Sequence, residues 1–264
     1  MKKLLALCLI ACLALGLTGC KPKTDYYAML AEYSDFNCEG AQDVVFSIDL
    51  IDPRLAQLEE TWGLRAIAGT GDSLSQALNL MHWLRTHTHK VTGGRFKENL
   101  NAAEILEYAY DNKKDGLNCK LYSIAFGEML MALGFDVKVL FCYPAVYKND
   151  NHVVVRVYLW EEARWVMLDP SFDLYVTDEA GRILDAPELR QGLAGRADLR
   201  LNEGHAYRGN YFDYMAKDMF YFECRNQMEF GGHNQAGGWV YLLTAGSSVN
   251  SEDVIIATYD SFWR

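Results

Sequence analysis

Three side chains far apart in this sequence, Cys119, His152 and Asp169, are of the types that together do nucleophilic acyl chemistry. Cys119 stands where a helix is about to begin. Ahead of it, Asp115-Gly116 is a turn signal and Asn118 a good N-cap. Behind it, Leu121, Ile124, Ala125, Met129, Leu130 and Leu133 recur every three or four residues until Gly134 closes the helix. A thiol in a first helical turn meets unpaired N–H groups and the positive end of the macrodipole, so it is predisposed to ionise. A base within reach, and an acid to orient that base, would complete a Cys–His–Asp triad.

The elements that must bring the other two residues together can be read from period-2 alternation. His152 opens the β-rich run HVVVRVYLW (152–160), and Asp169 ends the next, RWVMLD (164–169). The aliphatic sets are Val153, Val155, Val157 and Leu159 on the first run and Val166 and Leu168 on the second. In an antiparallel hairpin these sets share the core face, which sends His152 and Asp169 together to the other face. A turn at Glu161-Glu162 puts Val154 opposite Asp169 and His152 diagonal to it, roughly 7–8 Å away at the backbone. Arg156 and Tyr158 share the His152 face. They are candidates to line a cleft there, Tyr158 as a substrate contact, or to be solvated strand positions.

Around this hairpin the chain divides simply. Helices are expected at Leu55–Trp62, from a cap at Asp72-Ser73 to about His87, at Asn101–Tyr110, and near Pro187–Leu193. Strands are expected at 43–50, 137–143, 239–244 and 253–259, and the aromatic stretch 207–230 is expected to pack against the sheet, with a substrate-binding wall as the alternative. Helices first and strands afterwards argue for one α+β domain.

The chain opens MKKLLALCLIACLALGLTGCKPK, a charged start, a short apolar run and small residues, which is the pattern of a secretory signal peptide over residues 1–19. Leu17-Thr18-Gly19-Cys20 resembles the lipobox of bacterial lipoproteins. That resemblance implies cleavage before Cys20, diacylglycerol on its sulfur and acyl chains such as palmitate; two chains anchor stably where one is marginal. Residues 20–40 would then be the lipidated cysteine and a tether, and 41–264 the domain. Losing Lys2 and Lys3 moves the net charge from −10 to −12, which makes nucleic acid and anionic lipid surfaces poor partners. The membrane is reached through lipid, placing the protein outside the cytoplasm.

The segment GLNCKLYSIAFGEMLMALGFDVKVLFC, followed by NHVVVRVYLWEEARWVMLDPSF, resembles the transglutaminase-like superfamily over about residues 74–175. Its order is a Cys-bearing helix with a closing glycine, a strand, a strand opened by His, and W-x-x-LDP. The resemblance implies a papain-like core in which the Cys-bearing helix packs on an antiparallel sheet. It assigns Cys119 as nucleophile, His152 as base and acid, and Asp169 as the group that orients the imidazole. Trp165, Pro170 and Gly134 match structural positions of the pattern. Asn118, where the family often has an aromatic, is a candidate oxyanion donor or simply the N-cap. Val154 stands where the family often has Trp. The expected function is a cysteine acyl-transfer enzyme acting on peptide or amide substrates at the envelope, peptidase or amidase rather than cross-linker. The alternative, motivated by positions 118 and 154, is an inactive peptide- or glycan-binding lipoprotein of the same fold.

No cofactor is implied. His82, His87 and His89 lack a carboxylate at ligand spacing, and the cysteines have no CxxC spacing for zinc. Cys142 reads as buried packing; Cys38 and Cys224 could pair in an oxidising compartment or remain thiols. Asp173 is a rival to Asp169 with poorer register. Mass spectrometry of the mature protein is expected to find residues 1–19 removed and lipid mass on Cys20; an unmodified N-terminus would refute the anchor.

Overall fold

The computed structural model describes residues 24–264 except 37, 93–100, 113–115, 147–149, 235–237, 246 and 248–253. The signal peptide, Cys20 and the start of the tether lie outside the described residues. Chain order begins with helix α1 (Tyr26–Glu32), so the segment expected as a tether is folded from Asp25, whose side chain caps that helix. A two-residue strand β1 (Ser47–Ile48) is all that forms of the expected strand at 43–50. Helices α2 (Pro53–Trp62), α3 (Leu64–Ala68), α4 (Ser73–His87), α5 (Ala102–Ala109) and α6 (Cys119–Ala132) follow. Asp52, Asp72, Asn101 and Asn118 each accept a backbone N–H at the start of α2, α4, α5 and α6.

The strands are β2 (Val137–Tyr143), β3 (His152–Leu159), β4 (Arg164–Asp169), β5 (Leu174–Thr177), β6 (Arg200–Leu201), β7 (Tyr221–Arg225), β8 (Gln227–Met228), β9 (Trp239–Leu242) and β10 (Ile255–Ile256). Eight of them form one sheet in the order β10-β9-β7-β2-β3-β4-β5-β6, antiparallel except for the β10–β9 pair. The fold is the expected α+β class, with the cysteine-bearing helix on an antiparallel sheet.

Alternation divides the sheet between two cores. Val139, Val153, Val155, Val157, Val166 and Leu168 face α2 through α6. Helix α6 is buried from Leu121 to Met131, so it is the central helix of that layer. Its only buried acid, Glu128, accepts from Ala102 N at 2.7 Å and Gly231 N at 2.9 Å, and burial raises its pKa to about 7. Leu140, Val154 and Met167 point the other way, into a second core with α1, α7 (Ala186–Ala194), α8 (Tyr211–Asp218) and α9 (Tyr259–Trp263). The face carrying His152 is therefore covered by helices.

Arg156 and Tyr158 line no cleft there. Arg156 is buried, gives Asp185 two hydrogen bonds at 2.8 and 2.5 Å and one to Trp263 O at 3.0 Å, and lies between the Trp165 and Trp263 rings. Its register neighbour Lys138 donates to Phe262 O and Arg264 O. Burial, then the Arg156 charge, push the Lys138 pKa down to about 8. Two buried cations thus hold α9 to the sheet. Arg190 acts similarly, donating to Met219 O and Tyr33 O at the C-terminal ends of α8 and α1, where the helix dipoles favour positive charge. Removing one partner of a buried ion pair costs about 3–5 kcal/mol, and Asp185 also caps α7. Asp185→Ala is therefore expected to lower the unfolding free energy by that order, read as a shifted denaturant midpoint with detachment of α9.

Candidate active site

The N-terminus of α6 meets the start of β3 and the end of β4. Asn118 Oδ1 accepts Leu121 N–H at 3.0 Å, so its side chain is the N-cap, and Cys119 is the first helical residue. The preceding residue, Leu117, is fixed by a short parallel bridge: its N–H donates to His89 O at 2.7 Å, and Val91 N–H donates to its carbonyl at 3.0 Å. Gly116 is needed there, because a Cβ would come within 2.6 Å of the His89 carbonyl oxygen. Ser123 Oγ, one turn on, donates to Val153 O at 2.9 Å and ties the helix to β3.

The hairpin has the expected register. Val155 lies opposite Leu168, which carries Val154 to Asp169 and leaves His152 on the diagonal. The loop is a four-residue turn, Trp160–Ala163, with Ala163 at φ +51°, since Glu-Glu does not suit a tight two-residue turn. His152 Nε2 and Asp169 Oδ2 are 2.6 Å apart, both side chains without solvent exposure. Asp169 Oδ2 also accepts from Tyr211 OH at 3.0 Å, and Oδ1 accepts from Ser171 N and Oγ at 3.1 and 2.6 Å. Among the described residues, His152 Nδ1 has no hydrogen-bond partner; the half-buried Cys119 thiol is near enough to help the imidazole hold its proton.

Charge follows from this geometry. Burial pushes His152 toward neutrality, but the Asp169 carboxylate and its hydrogen bond, with the Cys119 sulfur, outweigh burial and raise its pKa to about 10. Burial also opposes ionisation of Cys119; hydrogen bonding and charge from His152, the Val153 N–H and the Lys90 charge overcome it, so its pKa is lowered. Both shifts favour a thiolate beside an imidazolium, the pairing with which cysteine nucleophiles attack acyl carbons.

Residues 61–170 match the transglutaminase-like superfamily. Over those residues the fold is transglutaminase-like. No curated protein matches it. Among solved structures it is similar to a candidate cysteine protease from Cytophaga hutchinsonii, at 10% identity and a TM-score of 0.36. That likeness covers 63% of this chain and spans 57% of the other, and is too slight to bear on function. The superfamily match supports a cysteine enzyme.

Within the transglutaminase-like core, the W-x-x-LDP motif is β4 plus an Asp169–Ser171 turn that saturates one carboxylate oxygen. Trp165 stacks against Arg156, far from the chemistry. Tyr158 is not brought to the site. It lies six residues along β3 from His152, roughly 20 Å away, packed against Trp165. Val154 is buried in the second core rather than beside a groove. Asp173 is engaged by His82 Nδ1 at 2.6 Å, and His87 bonds Trp83 O and stacks on Tyr110. Among the described residues no group of three or more His, Cys, Asp and Glu is placed to hold a metal, and Cys38, Cys119, Cys142 and Cys224 are free thiols.

Several neighbours were not singled out from sequence. Tyr214 sets its ring edge-on to His152 with centroids 5.0 Å apart, and Phe172 lies 5.8 Å from the same ring. Tyr211 and Tyr214 are three apart on α8, a helical spacing hidden inside a uniformly aromatic stretch. Asp218, at the end of α8, is fully buried with neither carboxylate oxygen hydrogen-bonded; burial raises its pKa to about 6, against the lowering effects of Lys217 and His152.

The two shifts predict that Cys119 alkylates rapidly at about pH 7, below the ordinary thiol pKa of about 8.5, and that thiolate and imidazolium coexist until His152 loses its proton near 10. Asp169→Asn removes the charge that offsets burial, so the His152 pKa falls and the Cys119 pKa rises. Iodoacetamide labelling at about pH 7 is then expected to slow by roughly tenfold per unit of that rise. Tyr211→Phe, losing one neutral hydrogen bond worth about 1 kcal/mol, is expected to slow it less.

Proposed function

We propose that the protein is a cysteine acyl-transfer enzyme, a peptidase or amidase, using Cys119 as nucleophile, His152 as acid and base, and Asp169 as the orienting carboxylate. The supporting observation is the convergence of these side chains where a helix N-terminus meets the hairpin. The Cys119 thiolate attacks the carbonyl carbon of an amide, forming a C–S bond while the carbonyl electrons move to oxygen. The Cys119 backbone N–H holds that oxyanion, a donor worth about 3–4 kcal/mol where it is preorganised. His152 donates its Nδ1 proton to the departing nitrogen as the C–N bond breaks, leaving a thioester. Neutral imidazole then takes a proton from water as it attacks, the C–S bond breaks, and the acid product leaves with thiolate and imidazolium restored.

With residues 1–19 removed and Cys20 lipidated, this chemistry would act on peptides at the outer side of a bacterial membrane. Among the described residues no helix is long and apolar enough to cross one. The alternative of an inactive binding module drew on positions 118 and 154. Those positions serve as a helix cap and as core packing, which weakens that alternative. Cys119→Ala is expected to abolish hydrolysis of peptide amides while leaving the melting temperature close to wild type. Full hydrolysis by Cys119→Ala, or no incorporation of iodoacetamide at Cys119 of the folded protein, would overturn the assignment.

A further inference from the structure

Lys90 is the cation that the mechanism leaves unexplained. Its backbone is gripped by the bridge to Leu117, two residues ahead of the nucleophile. Its Nζ lies 4.6 Å from the centre of the Phe172 ring, and that ring lies 5.8 Å from the His152 ring. One aromatic ring thus joins the ammonium to the imidazole, and its charge is felt at the Cys119 sulfur.

No carboxylate pairs with Lys90 among the described residues. The acids of this neighbourhood are engaged elsewhere: Asp173 by His82, Asp169 by His152, Tyr211 and Ser171, and Asp150 and Asp218 by Lys217. The chain has 35 acidic against 25 basic residues, so an ammonium beside the nucleophile with no acidic partner among the described residues is not a by-product of composition. The cation–π contact holds it in place and leaves its N–H donors available.

We infer that Lys90 is an anion-recognition residue, selecting substrates that carry a carboxylate next to the amide attacked by Cys119. This rests on the cysteine acyl-transfer reading and adds a substrate class to it. An acidic side chain and a free peptide C-terminus offer the same group. At a half-buried site its recognition is worth about tenfold, between the values for exposed ion pairs and for hydrogen bonds to charge.

The test compares anionic iodoacetate with neutral iodoacetamide on Cys119 in the full chain. Taking the ratio of their rates at one pH cancels the thiolate fraction. Lys90→Met is expected to lower the iodoacetate-to-iodoacetamide ratio by about tenfold, Lys90→Glu further, and Lys90→Arg little. An unchanged ratio in Lys90→Met, with Cys119 still labelled, overturns the role of Lys90 and leaves the nucleophile intact; no labelling of the wild type by either reagent overturns both. Peptides protecting Cys119 from iodoacetamide identify the source. Protection by N-acetyl-tetra-alanine but not by its amide, lost in Lys90→Met, points to the chain terminus. Protection by a blocked Glu peptide but not its Gln counterpart, lost in Lys90→Met, points to the side chain. Protection by neither overturns the substrate class.

Discussion

A carboxylate with no solvent exposure persists only where its lone pairs are taken, and at Asp169 they are. His152 and Tyr211 share one oxygen; the amide and hydroxyl of Ser171 share the other. Much of the surrounding architecture supplies those partners. The turn after β4 returns Ser171 to its own Asp, β3 brings His152 along the hairpin diagonal, and α8 crosses the far face of the sheet to deliver Tyr211. Each partner alone is worth about 1 kcal/mol. Removing any of them also leaves part of a buried charge unsatisfied, so the group behaves as a network rather than as separable contacts.

The sheet's two covers divide the work. Helix α6, buried on nearly every side, cannot shift its N-terminus without disturbing the larger core, and the Leu117 bridge and Ser123 bond fix the turn that bears Cys119. The second core supports the imidazole from behind: Tyr214 meets the ring edge-on, Phe172 packs beside it, and Tyr207 packs against both of those rings. Cys119 and His152 thus come from opposite layers and meet where the sheet ends. In the proposed reaction a sulfur held this way needs little reorganisation to attack, which is where a preorganised site gains over a flexible one.

What could be read from sequence was what is local. Caps at Asp72, Asn101 and Asn118 stand within a residue or so of the expected helix starts, and period-2 parity placed His152 and Asp169 on one face because a register slip would invert every valine. Other features depend on distant partners. Arg156 looked like a strand residue facing solvent or a cleft; its ion-pair partner Asp185 lies 29 residues away and Trp263, one of the tryptophans flanking it, 107. The stretch 207–230, apolar and aromatic throughout, carries neither period cleanly. It divides into α8 and the central strand β7, and the tyrosine that completes the Asp169 shell stayed hidden there. Tyr158 shows the limit of parity: sharing a face says nothing about distance along a strand.

Charge is distributed against the protein's average. In a chain of net charge −10, the His152 imidazolium and Lys90 both bear on the Cys119 sulfur, at the positive end of the α6 dipole. The buried acids there, Asp169 and Asp218, sustain the imidazolium from the sheet side. Within a Debye length of about 8–10 Å, an approaching anion meets that pole; farther out it meets a screened acidic surface. On the proposed reading, such an arrangement would favour substrates whose negative charge is compact and adjacent to the reacting amide over polyanions, which an acidic exterior repels. Selectivity of this kind resides in where the few cations stand, and net charge alone would have predicted the opposite preference.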